Sequence, residues 1–195
     1  MIRLHDKMHV IYDANVIIFY SFPEGKYRIE SLTNPAKRLT RFLFNQNSNI
    51  IVPQFIVDEI KIKGFYEIIN DYFSSIGEAS KFGLMRKVRN NFENLLEHEN
   101  FLVEDYEPSE KLLKSINSAF INFNNLDNID EYFQRKHTNI LNPSEADKKL
   151  LLFSKEKKCP IISDDLNLTF FKDELINLNL VNEVIEFKSI SFINS

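Results

Sequence analysis

The chain has 195 residues, of which 44% are hydrophobic, and its formal net charge at pH 7 is −4. This length suits one domain with a sizeable core, so we expect a single domain over residues 1–195. The negative charge argues against a protein that coats nucleic acid through its overall charge, although a local basic patch would still bind it. Because Cys159 is the only cysteine, an intramolecular disulfide and a cysteine metal cluster are excluded.

Membrane segments are not predicted from this sequence. No apolar run approaches the roughly 20 residues that a membrane-spanning helix needs, and charges scattered through the first ten positions are unlike a signal peptide. We therefore expect a cytoplasmic protein that does not act at a membrane.

The first predicted element is a short buried strand at residues 10–12. It ends on Asp13, Asn15 follows, and a second apolar run then begins. In open α/β sheets ligands bind at the carboxyl ends of the strands, so Asp13 is a candidate for such a crevice. The alternative is that Asp13 caps the following helix, a position that Asp often occupies.

The next predicted elements are a loop at residues 21–33, a helix from Pro35 and a strand at residues 49–52. A helix then runs from Pro53 to Gly64, because proline suits a first helical position and glycine a helix end. In that helix Asp58 falls on the side of Lys61, which predicts a solvated side chain. Glu59 falls among apolar residues on the other side, so we expect it to face inward.

Residues 65–135 follow the 3.6-residue apolar period of helices, apart from a short extended connection near residues 101–105. No acid in this stretch differs from its neighbours. We expect a helical insertion whose apolar stripes cover and extend the sheet.

Two further acidic positions lie near the C-terminal end of the sequence. Ser144 and Asp147 resemble a capping box at the start of a helix, and the helical wheel also places Asp147 on the inward side. A strand at residues 160–163 is followed by Asp164 and Asp165, and a last strand is predicted at residues 183–187.

Four acids thus follow a strand or lie near the start of a helix: Asp13, Glu59, Asp147 and Asp165, with Asp164 as an alternative. Parallel strands joined by helices bring their carboxyl ends to one edge of a sheet. Carboxylates gathered there repel one another and favour a cation. With no His or Cys companions, these oxygen ligands indicate Mg²⁺ or Mn²⁺, which promotes attack of water on a phosphodiester.

The acidic motifs resemble those of the PIN-domain nucleases. The motifs are DAN at residues 13–15, Glu59 in VPQFIVDEI, Asp147 in SEADKKLLLFSKEKK and ISDD at residues 162–165. The resemblance covers roughly residues 8–65 and 142–187 and leaves the helical middle unmatched.

The resemblance implies a three-layer α/β/α sandwich with a mostly parallel sheet, and a metal-dependent endoribonuclease. Asp13, Glu59, Asp147 and Asp165 would be the catalytic and metal-binding acids, with Asp164 as a second choice for the last. Asn15 would support Asp13 by hydrogen bonding, and Ser163 would stand where threonine is more usual. The compact toxin members of the family pair with an antitoxin, which adds an antitoxin or another protein as a candidate partner.

An RNA substrate needs cations near the acids to offset phosphate repulsion. Arg38 and Arg41 form one candidate patch, and Arg135 and Lys136 form another shortly before the Asp147 helix. The alternative for each patch is an ordinary solvated helix face. Exposed phenylalanines on the inserted helices would indicate a homodimer.

Two other functions remain open at this point. A phosphatase of the haloacid dehalogenase type also begins with an acid after a strand, but its chemistry requires a second Asp where this chain has Asn15. A binding module that keeps the fold without catalysis would use the inserted helices to dock RNA or protein.

Overall fold

Five strands form one sheet in which every neighbouring pair is parallel. The computed structural model describes residues 8–24, 30–74 and 76–190. The strands are β1 (Val10–Tyr12), β2 (Ile50–Pro53), β3 (Phe101–Glu104), β4 (Ile161–Ser163) and β5 (Val184–Glu186). Their order across the sheet is β3-β2-β1-β4-β5. The predicted α/β class with a parallel sheet is confirmed.

The described ranges also contain ten helices. The first five are α1 (Ala14–Ser21), α2 (Glu30–Asn45), α3 (Gln54–Lys63), α4 (Phe65–Tyr72) and α5 (Glu78–Leu96). The others are α6 (Glu110–Phe123), α7 (Ile129–Lys136), α8 (Glu145–Lys157), α9 (Leu166–Thr169) and α10 (Lys172–Asn177). A 3₁₀ turn, Phe187–Ser189, follows β5. Within the described ranges, no helix has both the length and the apolar character to cross a membrane.

The direction of the crossovers determines which face of the sheet each helix covers. The chain moves from β1 through β2 to β3 in one direction, and then from β3 through β4 to β5 in the other. Because crossovers between parallel strands are right-handed, α1–α5 lie on one face and α6–α10 on the opposite face. Consistent with this, α1 contacts α2, α3 and α5, whereas α8 contacts α6 and α9. The result is a three-layer α/β/α sandwich.

Strand β3 lies within the stretch that the sequence predicts as a helical insertion. It pairs with β2 in the register Ile50 to Phe101 and forms one edge of the sheet. Phe101 is buried but Val103 is exposed, because an edge strand is covered less completely than the central strands. Residues 65–135 therefore supply a strand to the sheet as well as helices.

Helix α2 begins earlier than the sequence predicts, since it starts at Glu30 and contains Pro35. Proline removes one helical hydrogen bond, but Ala36 and Leu39 are fully buried and hold this helix against the core. The predicted loop at residues 21–33 is therefore too long at its C-terminal end, and its residues 25–29 lie outside the described residues.

Candidate metal centre

The carboxyl ends of β1 and β4 meet at the switch point of the sheet. These two strands are neighbours, and their outgoing connections leave in opposite directions, to β2 and to β5. A crevice opens at such a point in α/β sheets. Asp13 directly follows β1, and Asp165 comes two residues after the end of β4. The strand order thus brings together two acids that are far apart in the sequence.

Asp13 is buried, with 5% of its surface exposed. Its Oδ1 accepts a hydrogen bond from the backbone N–H of Ala14 at 2.6 Å, so it caps α1. Its Oδ2 accepts a hydrogen bond from Ser163 Oγ at 2.6 Å. Burial, opposed by the Ser163 bond and reinforced by the charges of Asp147 and Asp165, raises the pKa of Asp13 to about 7. Asp13 therefore both caps the helix and lines the crevice.

A chain of hydrogen bonds connects Asp13 to the other aspartates. Ser163 Oγ accepts a bond from the backbone N–H of Asp165 at 2.9 Å while it donates to Asp13. Asp165 Oδ1 accepts a bond from the backbone N–H of Asn167 at 2.7 Å. The amide Nδ2 of Asn167 donates to Asp147 Oδ2 at 2.9 Å. Three carboxylates are thus joined through Ser163 and Asn167.

Asp147 also forms the capping box that the sequence predicts at the start of α8. Its backbone N–H donates to Ser144 Oγ at 3.0 Å, and its Oδ2 accepts from the backbone N–H of Ser144 at 2.9 Å. Burial raises the pKa of Asp147, and the nearby charge of Asp165 raises it further against the bond from Asn167. The capping role is confirmed, and the same carboxylate also belongs to the cluster.

Glu59 is exposed, so the prediction that it faces inward is wrong. The buried face of α3 is formed by Ile56, Val57 and Ile60, and Glu59 lies beside it. Burial around its carboxyl is nevertheless the largest cause of its raised pKa, and the charges of Asp147 and Asp165 also raise it. Glu59 is thus electrostatically coupled to the crevice from its solvent side.

The neighbouring acids Asp58 and Asp164 have other partners. Asp58 is exposed, as predicted, and accepts a hydrogen bond from Gln54 Nε2 at 2.7 Å. Asp164 Oδ1 accepts a bond from the backbone N–H of Lys188 at 3.0 Å, and its Oδ2 lies 3.4 Å from Lys188 Nζ. Since successive side chains of an extended segment point in opposite directions, Asp165 reaches the crevice and Asp164 does not.

The donor chemistry of the crevice fits a hard divalent cation. Its candidate ligands are carboxylate oxygens, which Mg²⁺ and Mn²⁺ prefer. Burial is the largest cause of the raised pKa of Asp13, and the charges of Asp147 and Asp165 add to it, so a cation there would be favourable. Across residues 8–24, 30–74 and 76–190, however, no three His, Cys, Asp or Glu side chains are already grouped as ligands of one ion. Ser163, Asn167 and Lys136 bond the carboxylate oxygens instead.

Comparison with protein-family models, curated proteins and solved structures gave no match. The residues that the sequence proposes as helpers of the acids, Asn15 and the four cations, differ in their contacts.

Lys136 is the predicted cation that reaches the acids, because its Nζ lies 2.9 Å from Asp165 Oδ1. Arg135 lies 3.8 Å from Glu131, and its guanidinium is 5.8 Å from the centre of the Phe170 ring.

The other predicted helpers do not contact the acids. Arg38 is exposed, and Arg41 pairs with Glu24 at 2.6 Å. Asn15 is half-buried on α1, and the hydrogen bonds described for this part of the chain do not join its side chain to Asp13.

Asn167 and Tyr132 are site residues that the sequence analysis missed. The hydroxyl of Tyr132, which is 1% exposed, donates to Asn167 Oδ1 at 2.7 Å. This bond fixes the Asn167 amide with its Nδ2 towards Asp147. A polar residue two positions after Asp165 was the available signal for Asn167. Tyr132 had none, since an aromatic residue in a helical stripe is typical of a core.

Ser163→Ala is expected to lower the free energy of unfolding by about 1–3 kcal/mol at pH 8, because it leaves Asp13 Oδ2 buried without a donor. Urea denaturation without divalent ions measures this loss. Ser118→Ala is the control, since Ser118 is exposed and, within the described residues, its hydroxyl bonds the carbonyl of Lys114 in its own helix. The control should change by less than about 0.5 kcal/mol. Equal stabilities for Ser163→Ala and the wild type would contradict the structural role of Ser163.

Proposed function

We propose that this protein is a metal-dependent endoribonuclease that hydrolyses RNA phosphodiesters in the cytoplasm with Mg²⁺ or Mn²⁺. The observation that carries the proposal is the hydrogen-bonded chain that joins Asp13, Asp165 and Asp147 at the sheet switch point. The charge coupling of Glu59 to two of these aspartates adds the fourth acid. The resemblance of the same acids to the motifs of PIN-domain nucleases supports RNA as the substrate.

The proposed roles follow from the positions of the acids. Asp13, Asp147, Asp165 and Glu59 would hold the ion. When bound, a divalent ion supplies Lewis-acid charge that stabilises the negative charge developing on phosphate oxygens. Ser163 and Asn167 orient the aspartates, as hydrogen-bonded partners of metal ligands do. Glu59, which is exposed and coupled to Asp147 and Asp165, would complete this ligand set from the solvent side.

A rim beside the acids suits unpaired nucleotides. The guanidinium of Arg135 lies over the half-buried ring of Phe170, five residues after Asp165. Arginine and aromatic rings together bind the backbone and stack the bases of single strands. We assign the nucleotides that flank the cleaved bond to this rim. The proposal also includes an antitoxin, another partner protein or a second copy of the chain as a partner. Only the sequence analysis supports these partners.

The test compares Glu59→Gln with Asp58→Asn, two adjacent exposed acids of α3 that differ in their coupling to the cluster. Cleavage of a fluorescent single-stranded RNA is measured with Mn²⁺. Glu59→Gln is expected to lower kcat/KM by about 100-fold or more, because loss of even a supporting residue of a metal site costs 10–100-fold. Asp58→Asn should stay within about twofold of the wild type. A wild type without metal-dependent cleavage, or an unaffected Glu59→Gln, would contradict the proposal.

A second candidate function is a binding module that keeps the fold without catalysis. It is favoured by one observation, that no three acids of the described residues are already grouped around one ion. Titration with Mn²⁺ distinguishes the two functions. Saturable binding that Asp13→Asn removes supports the nuclease, whereas no binding at millimolar Mn²⁺ supports the module.

A further inference from the structure

Helix α7 presents two side chains to the acidic crevice from the face opposite α3. Tyr132 and Lys136 are four residues apart, so they lie one turn apart on the same side of the helix. Tyr132 bonds Asn167, and Lys136 bonds Asp165. The ring of Tyr132 also packs against those of Phe170 and Phe171, with centres 5.5 and 5.0 Å apart. The core therefore holds α7, and with it Lys136, beside the acids.

The charges of the crevice explain why a lysine is held there. The charges of Asp147 and Asp165 add to burial in raising the pKa of Asp13, and the same two charges also raise the pKa of Glu59. Among the ion pairs described for this chain, Lys136 supplies the one made directly to any of these four acids. The Lys136 side chain is 33% exposed and that of Asp165 is 23% exposed. Because both groups are partly buried, solvent and salt screen their attraction less than they screen that of an exposed ion pair. The exposed part of Lys136 still allows its ammonium group to turn towards solvent.

We infer that Lys136 is a built-in counter-ion that holds Asp165 while no divalent ion is bound, and that it competes with the ion for this carboxylate. The inference rests on the proposed metal site. An ammonium group bonded to Asp165 Oδ1 repels a divalent ion held by the same carboxylate, because like charges repel strongly at short distance. The divalent ion therefore binds more weakly than the acids alone would allow, and it binds more tightly when Lys136 moves away or is replaced.

This role predicts opposite effects on metal affinity and on stability without metal. Lys136→Gln is expected to bind Mn²⁺ about tenfold more tightly, a change of about 1.4 kcal/mol. Without divalent ions its melting temperature should fall by about 2–4 °C, because the ion pair with Asp165 is lost. A lysine with only a structural role would lower the melting temperature without tightening the binding of Mn²⁺.

The experiment is calorimetric titration of the full chain with Mn²⁺ at pH 8, together with thermal unfolding in EDTA. Lys136→Arg keeps the positive charge and should stay within about threefold of the wild-type affinity. Lys114→Gln is the control for net charge, since Lys114 is exposed on α6 and lies 3.8 Å from Glu110. It should leave both readouts unchanged.

The outcomes separate this inference from the proposed function. Tighter Mn²⁺ binding by Lys136→Gln alone supports the counter-ion role. If the wild type binds Mn²⁺ and Lys136→Gln binds it equally or more weakly, the counter-ion role is overturned and the metal site stands. If neither protein binds Mn²⁺, the metal site and the inference drawn from it are both wrong.

Discussion

Asp13→Asn is expected to abolish Mn²⁺-dependent cleavage of single-stranded RNA while the fold remains intact. The asparagine oxygen can still accept the hydrogen bond from the backbone of Ala14, so the cap of α1 is retained. The negative charge that would hold the ion is lost. Metal ions contribute several kcal/mol to transition-state stabilisation, and 1.36 kcal/mol is tenfold in rate, so we expect a loss of about a thousandfold.

Single-turnover cleavage measures this loss, and circular dichroism checks the fold. Asp173→Asn is the matched control, because Asp173 is an exposed aspartate at the start of α10. It makes the same chemical change away from the crevice and should cleave RNA like the wild type. Cleavage by Asp13→Asn at the wild-type rate would remove the proposed mechanism.

The same substitution is expected to stabilise the metal-free protein at neutral pH. The pKa of Asp13 is raised from its ordinary value of 3.8 to about 7, so the folded state retains a proton that the unfolded state has already released. The free energy of unfolding of the wild type is therefore not reduced by Asp13 below about pH 4, and it falls as the pH rises from there to about 7. The loss is about 1.4 kcal/mol per pH unit, or up to about 4 kcal/mol in total.

Urea denaturation in EDTA at a series of pH values tests this prediction. Asp13→Asn has no carboxylate to desolvate, so its stability relative to the wild type should increase between pH 4 and 7 and level off above that range. Asp58→Asn changes an exposed aspartate and should run parallel to the wild type. If the free energies of unfolding of Asp13→Asn and the wild type differ by a constant amount over this range, the pKa of Asp13 is not raised in the folded protein. Added Mn²⁺ should raise the free energy of unfolding of the wild type but not that of Asp13→Asn, because a ligand stabilises the state that binds it.

The stability cost and the proposed activity of Asp13 have one cause. A buried carboxylate beside Asp147 and Asp165 destabilises the metal-free fold, and the same charge would attract a divalent ion. Lys136 offsets part of this cost at Asp165. The fold therefore keeps like charges close together in the crevice at a cost in stability, which is not expected of acids that serve only to stabilise the fold.

Local patterns in the sequence were sufficient for several features. Apolar runs identified the strands that begin at Val10, Ile50, Ile161 and Val184, because a strand buried on both faces is apolar throughout. Helix-start chemistry identified the capping box of Asp147, which depends on residues three positions apart. These features could be predicted because their causes act over a few neighbouring residues.

Other features depended on the packing of distant elements. The sequence predicts only an extended connection near residues 101–105, and pairing with β2 makes Phe101–Glu104 an edge strand of the sheet. The exposure of Glu59 was mispredicted because the flank of a helix is buried or open according to its neighbours, and the periodicity of α3 does not contain that information.

The sequence by itself determined that this chain forms parallel strands joined by helices and that acids follow two of those strands. The sequence also preferred Asp165 to Asp164 and proposed Lys136 as one of four candidate cations. The tertiary structure alone decided that Lys136 is the candidate that bonds Asp165, and that Tyr132 and Asn167 join the crevice. The physical reason is that strand order and crossover direction bring together residues remote in sequence. No local pattern encodes which side chains will meet there.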